Sequence, residues 1–304
     1  MAPENKSPSS IKCWVTAARP WSFPMTVVSV LLGTLWAGGG GISWGLGVLA
    51  VVTGVALHAG ANLANDYFDV KERVDRPNSR RVRQRPHPLA LGWIAPRQVK
   101  LAAAICFGIG LGCGTYLSVQ SGWPILLFGL VGAVLGLLYT GGPFPLKRYA
   151  VGELVVLFTW GPLATGAAYY VQARRLSGPL VMVSLPVGGL VALVLLANNL
   201  RDAASDEENL VRTLPLVAGP ATARFLFCCL MFAAVAGTVA MSVFGPLDLG
   251  SLITLLALPM GYPLCRMIRG TIPLDADART ARFVVSYGTL LCAAVACQKL
   301  LQWP

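Results

Sequence analysis

Long apolar runs dominate the chain, and short polar segments separate them. Each run approaches the roughly 20 residues that an α-helix needs to cross the hydrocarbon core of a bilayer. The pattern therefore predicts an all-α, polytopic membrane protein with nine transmembrane helices in one bundle. The predicted spans are residues 20–38, 44–64, 99–119, 123–140, 150–171, 178–200, 222–244, 247–264 and 282–300.

The composition agrees with a membrane protein. The 304 residues are 55% hydrophobic and only 12% charged, whereas a soluble domain carries about 25% charged residues. The mean hydropathy is +0.65. These values exclude a soluble globular protein. We expect residues 1–19 to form a cytoplasmic N-terminal tail and residues 20–304 to form a single transmembrane domain.

The basic residues indicate the orientation. If the N-terminus is cytoplasmic, 21 of the 24 Lys and Arg residues lie in the cytoplasmic tail and loops, and only Arg174, Arg175 and Lys299 lie on the far side. Such a bias in short loops is a strong positive-inside signal. We therefore expect an integral inner (plasma) membrane protein. The net charge of +11 is explained by loops that face anionic membrane lipid, and it requires no nucleic acid partner.

The acidic residues are concentrated in two short windows. Eight of the 13 fall in "NLANDYFDVKERVD" (62–75) and "NNLRDAASDEEN" (198–209). The first window lies at the cytoplasmic end of the second predicted span, and the second window lies at the cytoplasmic end of the sixth. Both spans are even-numbered and therefore end on the same side of the membrane. Asn62, Asp66 and Asp69 share one helical face because they are separated by four and three residues. Because Asn198, Asp202 and Asp206 repeat such a face four helices later, we predict an internal duplication of a four-helix unit.

Three interpretations of these windows are possible from the residues alone. The carboxylates could be solvated helix ends, or they could belong to a cation-coupled transporter, since intramembrane carboxylates often serve transport. The third interpretation is a metal site, because one or two carboxylates together with substrate phosphates typically hold Mg²⁺. The segment "DRPNSRRVRQRP" (75–86) places five arginines beside the first window, and arginine binds phosphate oxygens well. Acidic and basic residues side by side favour the metal and diphosphate interpretation.

The ordered motifs resemble the UbiA superfamily of intramembrane prenyltransferases. "NDYFDVKERVD" and "DAASD" are similar to its two aspartate motifs, and "ARPWSFP" (18–24) is similar to its opening before the first helix. "YTGGPFPLKR" (139–148) and "NNLRD" with "RTL" (198–214) resemble the 1,4-dihydroxy-2-naphthoate polyprenyltransferase branch, which acts in menaquinone synthesis. The resemblance implies a helical bundle around a central cavity, with both motifs near its cytoplasmic mouth.

The resemblance also implies an activity and roles for individual residues. The activity is Mg²⁺-dependent transfer of a polyprenyl group from polyprenyl diphosphate to an aromatic acceptor, here 1,4-dihydroxy-2-naphthoate with loss of CO₂. The expected catalytic residues are Asp66, Asp69, Asp202 and Asp206. The expected metal ligands or their direct supports are Asn62, Asp66, Asp69, Asp75, Asn198, Asp202 and Asp206. The expected substrate-binding residues are Asn65, Arg73, Tyr139, Lys147, Asn199 and Arg212.

Two alternatives remain at this stage. Another acceptor of the same superfamily, such as 4-hydroxybenzoate, homogentisate or another quinone precursor, is possible because the lining of the pocket selects the acceptor. A cation-coupled transporter is the alternative of a different class. Magnesium-dependent release of diphosphate in the presence of both substrates distinguishes the enzyme from the transporter.

Overall fold

The computed structural model describes residues 9–38, 41–85, 87–142 and 145–301, and within these ranges it contains helices and no strand. The first eight residues of the predicted tail and two residues of "YTGGPFPLKR", Pro143 and Phe144, lie outside the described ranges. The α-helices are α1 (Ser10–Ala18), α2 (Phe23–Trp36), α3 (Trp44–Lys71), α4 (Arg80–Gln84), α5 (Pro96–Ser121), α6 (Pro124–Thr140), α7 (Gly152–Phe158), α8 (Ala164–Ala173), α9 (Gly178–Glu208), α10 (Leu214–Ala218), α11 (Pro220–Phe244), α12 (Leu258–Arg269) and α13 (Ala276–Leu301).

Seven helical segments of the described chain are long and apolar enough to cross a membrane. An all-helical, multi-pass membrane fold is therefore confirmed. The helices at two further predicted spans, α2 and α6, have 14 and 17 residues, which is shorter than the roughly 20 residues of a full span. The number of nine spans and the internal duplication stay predictions. The seven segments are Trp44–Lys71, Pro96–Ser121, Gly152–Ala173, Gly178–Glu208, Pro220–Phe244, Leu249–Arg269 and Ala276–Leu301.

Helix α9 is the central element of the bundle. It packs against α7, α11 and α13, and its residues Ala192, Leu193 and Ala197 are fully buried. Apolar side chains surround it on several sides, so the polar residues at its C-terminal end can be placed in the protein interior. Helix α1 lies within the predicted tail, where its Cys13 and Ala17 pack into an apolar cluster with residues of α3 and α5. The domain boundary after residue 19 stays a prediction.

One predicted span, 150–171, is a broken helix. A π-helical turn, Thr159–Leu163, joins α7 to α8, and Gly161 has non-helical backbone angles beside Pro162. Proline lacks the N–H that an α-helix needs, and it kinks the chain. A Cβ on Gly188 of α9 would lie 2.3 Å from the carbonyl oxygen of Leu157. Only glycine permits this close approach, which holds the broken helix against α9 and fixes the positions of polar residues on both.

Candidate active site

A cavity of about 610 Å³ runs through the bundle beside α3. Ala50 and Asp69 of this helix both line it, and at 1.5 Å per residue they are separated by about 28 Å along the helix axis. Apolar side chains, among them Val30, Leu117 and Ile125, line the end near Ala50. Carboxylates, amides and guanidinium groups line the end near Asp69. The cavity therefore suits a long amphipathic molecule with an apolar chain and a polar head.

The five motif aspartates all line the polar end of this cavity, and each is between 2% and 6% exposed. They are therefore not solvated helix ends. Buried carboxylates need partners, because burial of an unpaired charge is costly. The residues are Asp66, Asp69, Asp75, Asp202 and Asp206.

Cationic side chains from other parts of the chain pair with the first motif. Arg19, in the left-handed conformation between α1 and α2, donates to Asp66. Lys147 donates to Asp69, to Asn65 Oδ1 at 3.3 Å and to Thr140 Oγ1 at 2.8 Å. Lys147 thus joins the C-terminal end of α3 to the end of α6, and it places an ammonium group next to the predicted metal ligands.

The second motif is held by Arg201 of α9 itself. Its Nε donates to Asp202 Oδ1 at 2.7 Å, and its Nη2 donates to Asn198 Oδ1. Its Nη1 lies 2.8 Å from Asp277 at the start of α13. The carbonyl oxygen of Asn198 is therefore already used by a guanidinium group, which makes Asn198 a support of Asp202 in this structure.

Arg81 of the short helix α4 bridges the two motifs. Its Nε and Nη2 both donate to Asp202 Oδ2 at 3.1 Å, and its Nη1 lies 3.6 Å from Asp75 Oδ1. Burial works to lower the pKa of Arg81, but the charges of Asp202 and Asp75 outweigh it and raise the pKa well above its usual value. Arg81 is thus charged at any working pH, and its guanidinium group pairs with one aspartate of each motif.

His87 lies between Asp66 and Asp75. Its Nδ1 accepts the backbone N–H of Ala90 at 3.2 Å, which places the ring proton on Nε2. That nitrogen lies 3.5 Å from Asp66 Oδ1 and 3.4 Å from Asp75 Oδ2. Burial by itself would lower the pKa of His87. The carboxylates of Asp66 and Asp75 outweigh this effect, so the pKa is raised above its usual value. In this arrangement the ring is a neutral donor whose Nε2–H faces both carboxylates of the first motif.

Asp206 differs from the other motif aspartates. Its carboxylate is 4% exposed, and it makes no ion pair or hydrogen bond with the described part of the chain. A buried carboxylate that lacks a cation fits a site for a metal ion. The described residues contain no group of three His, Cys, Asp or Glu side chains close enough to hold a metal without other ligands. Mg²⁺ does not require such a group, because it takes one or two carboxylates with substrate phosphates and waters.

The structure brings most of the predicted site residues together, with two exceptions. Asn62, Asn65, Tyr139, Lys147, Asn198 and Asn199 line the same cavity as the aspartates. Arg73 and Arg212 are exposed and do not line it. Arg73 is in the left-handed region with φ 61° just after α3, and the backbone carbonyl of Arg212 accepts from Ala150 at 3.0 Å. Neither guanidinium group is placed to contact a ligand in this cavity.

Five residues contribute to the site although no role was predicted for them individually. For three of them the sequence held a signal, since Arg19 lies in "ARPWSFP", Arg81 lies in the arginine-rich segment, and Arg201 stands next to Asp202. His87 directly follows the arginine-rich segment but had no signal of its own, and Asp277 had none because only the packing of a distant segment brings it to the motifs. The five residues are Arg19, Arg81, His87, Arg201 and Asp277.

The chain is similar in sequence to known proteins over most of its length. UbiA prenyltransferase domain-containing protein 1 of Gallus gallus is 30% identical over 303 residues, which cover 95% of this chain and 88% of that protein. The 1,4-dihydroxy-2-naphthoate octaprenyltransferase of Bacillus subtilis (strain 168) is 28% identical over 219 residues, which cover 72% of this chain and 69% of that protein.

A solved structure shares the fold. The UbiA homolog from Archaeoglobus fulgidus bound to GPP and Mg²⁺ has a TM-score of 0.64 at 15% identity, and the match covers 92% of this chain and 99% of that one. The sequence model of the UbiA prenyltransferase family matches residues 26–296. The chain that carries these two facing aspartate motifs therefore belongs to the UbiA prenyltransferase family.

Proposed function

We propose that this protein transfers a polyprenyl group from polyprenyl diphosphate to 1,4-dihydroxy-2-naphthoate, with Mg²⁺ as cofactor, as a step of menaquinone biosynthesis. One observation carries the proposal. Two aspartate motifs, at the ends of α3 and α9, meet at the polar end of a cavity whose other end is apolar. A prenyl diphosphate has the same division between a charged head and an apolar chain.

Two relatives support the choice of ligands. The Archaeoglobus fulgidus homolog carries GPP and Mg²⁺, so prenyl diphosphate and the metal occur together in this fold. The name of the Bacillus subtilis relative specifies 1,4-dihydroxy-2-naphthoate as the acceptor. Together with the resemblance of "NNLRD" and "RTL" to that branch, this name favours the naphthoate over other aromatic acceptors.

The residues at the polar end fit a magnesium diphosphate. In the described chain the Asp206 carboxylate has no cation partner. Asp69 is paired with Lys147, and Asp202 is paired with Arg201 and Arg81, and a metal ion could replace these partners. We assign the metal to Asp66, Asp69, Asp75, Asp202 and Asp206, with Asn62 and Asn198 as supporting amides. When bound, Mg²⁺ supplies positive charge that stabilises the departing diphosphate as a Lewis acid.

The cationic side chains that pair with the aspartates are also expected to bind the diphosphate. Lys147, Arg81 and Arg201 would be free to donate to the phosphate oxygens if the aspartates held Mg²⁺. Fixed cations aimed at a developing negative charge are usually a large contribution to catalysis. Because they already lie in the site, little reorganisation is needed when the bond to the leaving group breaks.

The proposed reaction replaces a C–O bond of the prenyl group by a C–C bond. The C1–O bond of the prenyl diphosphate cleaves with its electron pair on the diphosphate, and the electron-rich ring carbon that carries the carboxylate then forms the new C–C bond to C1. The ring carboxylate leaves as CO₂, and its bonding electrons return to the ring. Leu117, Val30 and Ile125 line the apolar end of the cavity, where they would hold the far part of the prenyl chain while C1 stays beside the aspartates at the polar end.

The test uses the purified full chain in detergent. It is supplied with geranylgeranyl diphosphate, Mg²⁺ and an equimolar mixture of 1,4-dihydroxy-2-naphthoate, 4-hydroxybenzoate and homogentisate, and the products are identified by mass spectrometry. We expect a prenylated, decarboxylated naphthoquinol as the main product, and no product when EDTA replaces Mg²⁺. A main product from another acceptor would overturn the proposed acceptor. Absence of any prenylated product would overturn the proposed reaction for these three acceptors.

A further inference from the structure

Two adjacent asparagines at the end of α9 are used in opposite ways. Asn198 accepts a hydrogen bond from Arg201 with its carbonyl oxygen. Asn199 instead donates from Nδ2 to Glu153 Oε1 at 2.9 Å. Its carbonyl oxygen makes no hydrogen bond within the described chain, although Asn199 is only 8% exposed and lines the cavity. Asn199 thus presents an unpaired acceptor to the cavity.

Glu153 determines the orientation of that amide. An ionised carboxylate can only accept hydrogen bonds, so the NH₂ group of Asn199 must face it and the carbonyl oxygen must face away. Glu153 is 8% exposed and lies in the first turn of α7. Its Oε2 is buried and has no hydrogen-bond partner. The residue is therefore costly to bury, and the side chain that donates to it is that of Asn199.

Tyr139 lies next to this pair. A Cβ on Gly152, the neighbour of Glu153, would lie 3.4 Å from the Tyr139 hydroxyl oxygen. Tyr139 also lines the cavity. The close contact at Gly152 places the Tyr139 ring beside the turn of α7 that carries Glu153, and both Tyr139 and Asn199 line the cavity. An amide acceptor beside an aromatic ring suits a flat ligand that carries a hydroxyl group.

We propose that Glu153 is a positioning residue, which holds Asn199 so that the Asn199 carbonyl oxygen accepts the hydrogen bond of a ring hydroxyl on the aromatic acceptor. This inference rests on the proposed function and extends it to the recognition of the acceptor. A diphosphate does not fit here, because its oxygens are acceptors and would meet another acceptor. A hydroxyl that donates to a carbonyl oxygen also gains electron density on its own oxygen, which makes the ring more reactive toward the allylic cation.

The experiment compares two ligands that differ in their hydroxyl groups. Binding of 1,4-dihydroxy-2-naphthoate and of 2-naphthoate, which has no hydroxyl, is measured by quenching of tryptophan fluorescence in the full chain without prenyl diphosphate. KM is measured separately for the acceptor, the prenyl diphosphate and Mg²⁺. The variants are Glu153→Ala, Asn199→Leu, the double variant and Glu153→Gln. Ser184→Ala is the matched control, because Ser184 is buried on the same helix α9 and donates to Val181 O rather than to the cavity.

The wild type is expected to prefer the dihydroxy ligand by about tenfold, the size of one hydrogen bond that would otherwise be left unmade. Glu153→Ala and Asn199→Leu should each abolish this preference and raise KM for the acceptor alone, and the double variant should add nothing. Glu153→Gln should keep the preference, because the Gln carbonyl oxygen can accept from the same NH₂ group. Ser184→Ala should behave as the wild type.

Each contrary result has a definite meaning. An unchanged preference in Glu153→Ala with normal thermal stability would overturn the proposal. A rise in KM for Mg²⁺ or for the prenyl diphosphate in Asn199→Leu, with no change in the preference, would reassign Asn199 to the metal or diphosphate site and would also overturn it. If the wild type binds with the expected preference, and the variants lose it, but no prenylated product forms, then the proposed function fails while this inference stands.

Discussion

Arg81 and Asp202, 121 positions apart in the sequence, form a fork in which two guanidinium nitrogens donate to one carboxylate oxygen, each at 3.1 Å. The arginine belongs to α4, which follows the first aspartate motif, and the aspartate belongs to the second motif. A guanidinium group therefore holds a position from which a metal ion could bind the same carboxylate. The contact neutralises Asp202 in this structure, and it would have to loosen for a metal ion to bind the same carboxylate oxygen.

The first prediction concerns this competition. Arg81→Ala should lower the melting temperature in EDTA, by an amount equivalent to about 2 kcal/mol, because hydrogen bonds to a charged, buried group are lost. Added Mg²⁺ should then raise the melting temperature more than it does in the wild type, since a ligand that meets no competitor binds the folded state more tightly. Thermal unfolding with Mg²⁺ and with EDTA measures both effects.

Arg83→Ala is the matched control for Arg81→Ala. Arg83 is exposed on the same helix, and its Nε donates to the backbone carbonyl of Asn78 at 3.0 Å. We expect this variant to respond to Mg²⁺ as the wild type does. Equal Mg²⁺ responses of Arg81→Ala and the wild type would show that Arg81 and the metal do not compete.

The second prediction separates two aspartates of one motif. The melting temperature of Asp206→Asn should equal or exceed that of the wild type, because the change removes a buried charge that has no ion-pair partner in the described chain. Asp202→Asn should lower it, because Arg81 and Arg201 would lose a charged partner. Both should lower kcat, on the order of 100-fold for the loss of a group that stabilises the transition state. Steady-state kinetics at saturating Mg²⁺, together with thermal unfolding, provides the test. Near-normal turnover of Asp206→Asn would contradict the metal assignment.

The third prediction concerns the cations that meet the diphosphate. Lys147→Met, which keeps the aliphatic stem, should raise KM for prenyl diphosphate or lower kcat by at least about tenfold, because a charge-assisted hydrogen bond to phosphate is lost. Arg212→Ala should change neither by more than about twofold, since its side chain is exposed and outside the cavity lining. A larger effect of Arg212→Ala would mean that the exposed segment folds over the ligand.

The fourth prediction concerns the orientation in the membrane. Single cysteines at exposed positions Asn78 and Glu207, in a chain without its native cysteines, should react with an impermeant thiol reagent from the cytoplasmic face only. A cysteine at Trp123, which is 68% exposed at the start of α6, should react from the opposite face. The two aspartate motifs lie at one end of one cavity, so residues 78 and 207 must share a face. Labelling of these two positions from opposite faces would contradict the fold and the proposed site.

The sequence by itself predicted an all-helical membrane fold and the aspartates of the cavity, and the reason is local. A helix that crosses lipid must satisfy its backbone internally and expose apolar side chains, so the runs are visible without knowledge of their neighbours. Carboxylates in such a chain are rare and costly, which makes the spacing of Asp66 and Asp69, and of Asp202 and Asp206, conspicuous. The helical period then places each pair on one face.

The partners of those carboxylates were decided by the tertiary structure. Arg73 and Arg212 are near the motifs in the sequence, yet both side chains are exposed and outside the cavity lining. Arg19 and Asp277 reach the site from distant segments, and His87 reaches it from just beyond the arginine-rich segment. Sequence distance does not report which side chain is near a buried charge, because that depends on how α1, α4 and α13 pack at the end of the bundle. The same holds for Glu153, which the sequence places near a helix end. The close contact of the broken helix with α9, through Gly188 and Gly161, brings Glu153 to Asn199. The hydrogen bond between these two side chains then determines which end of the Asn199 amide faces the cavity.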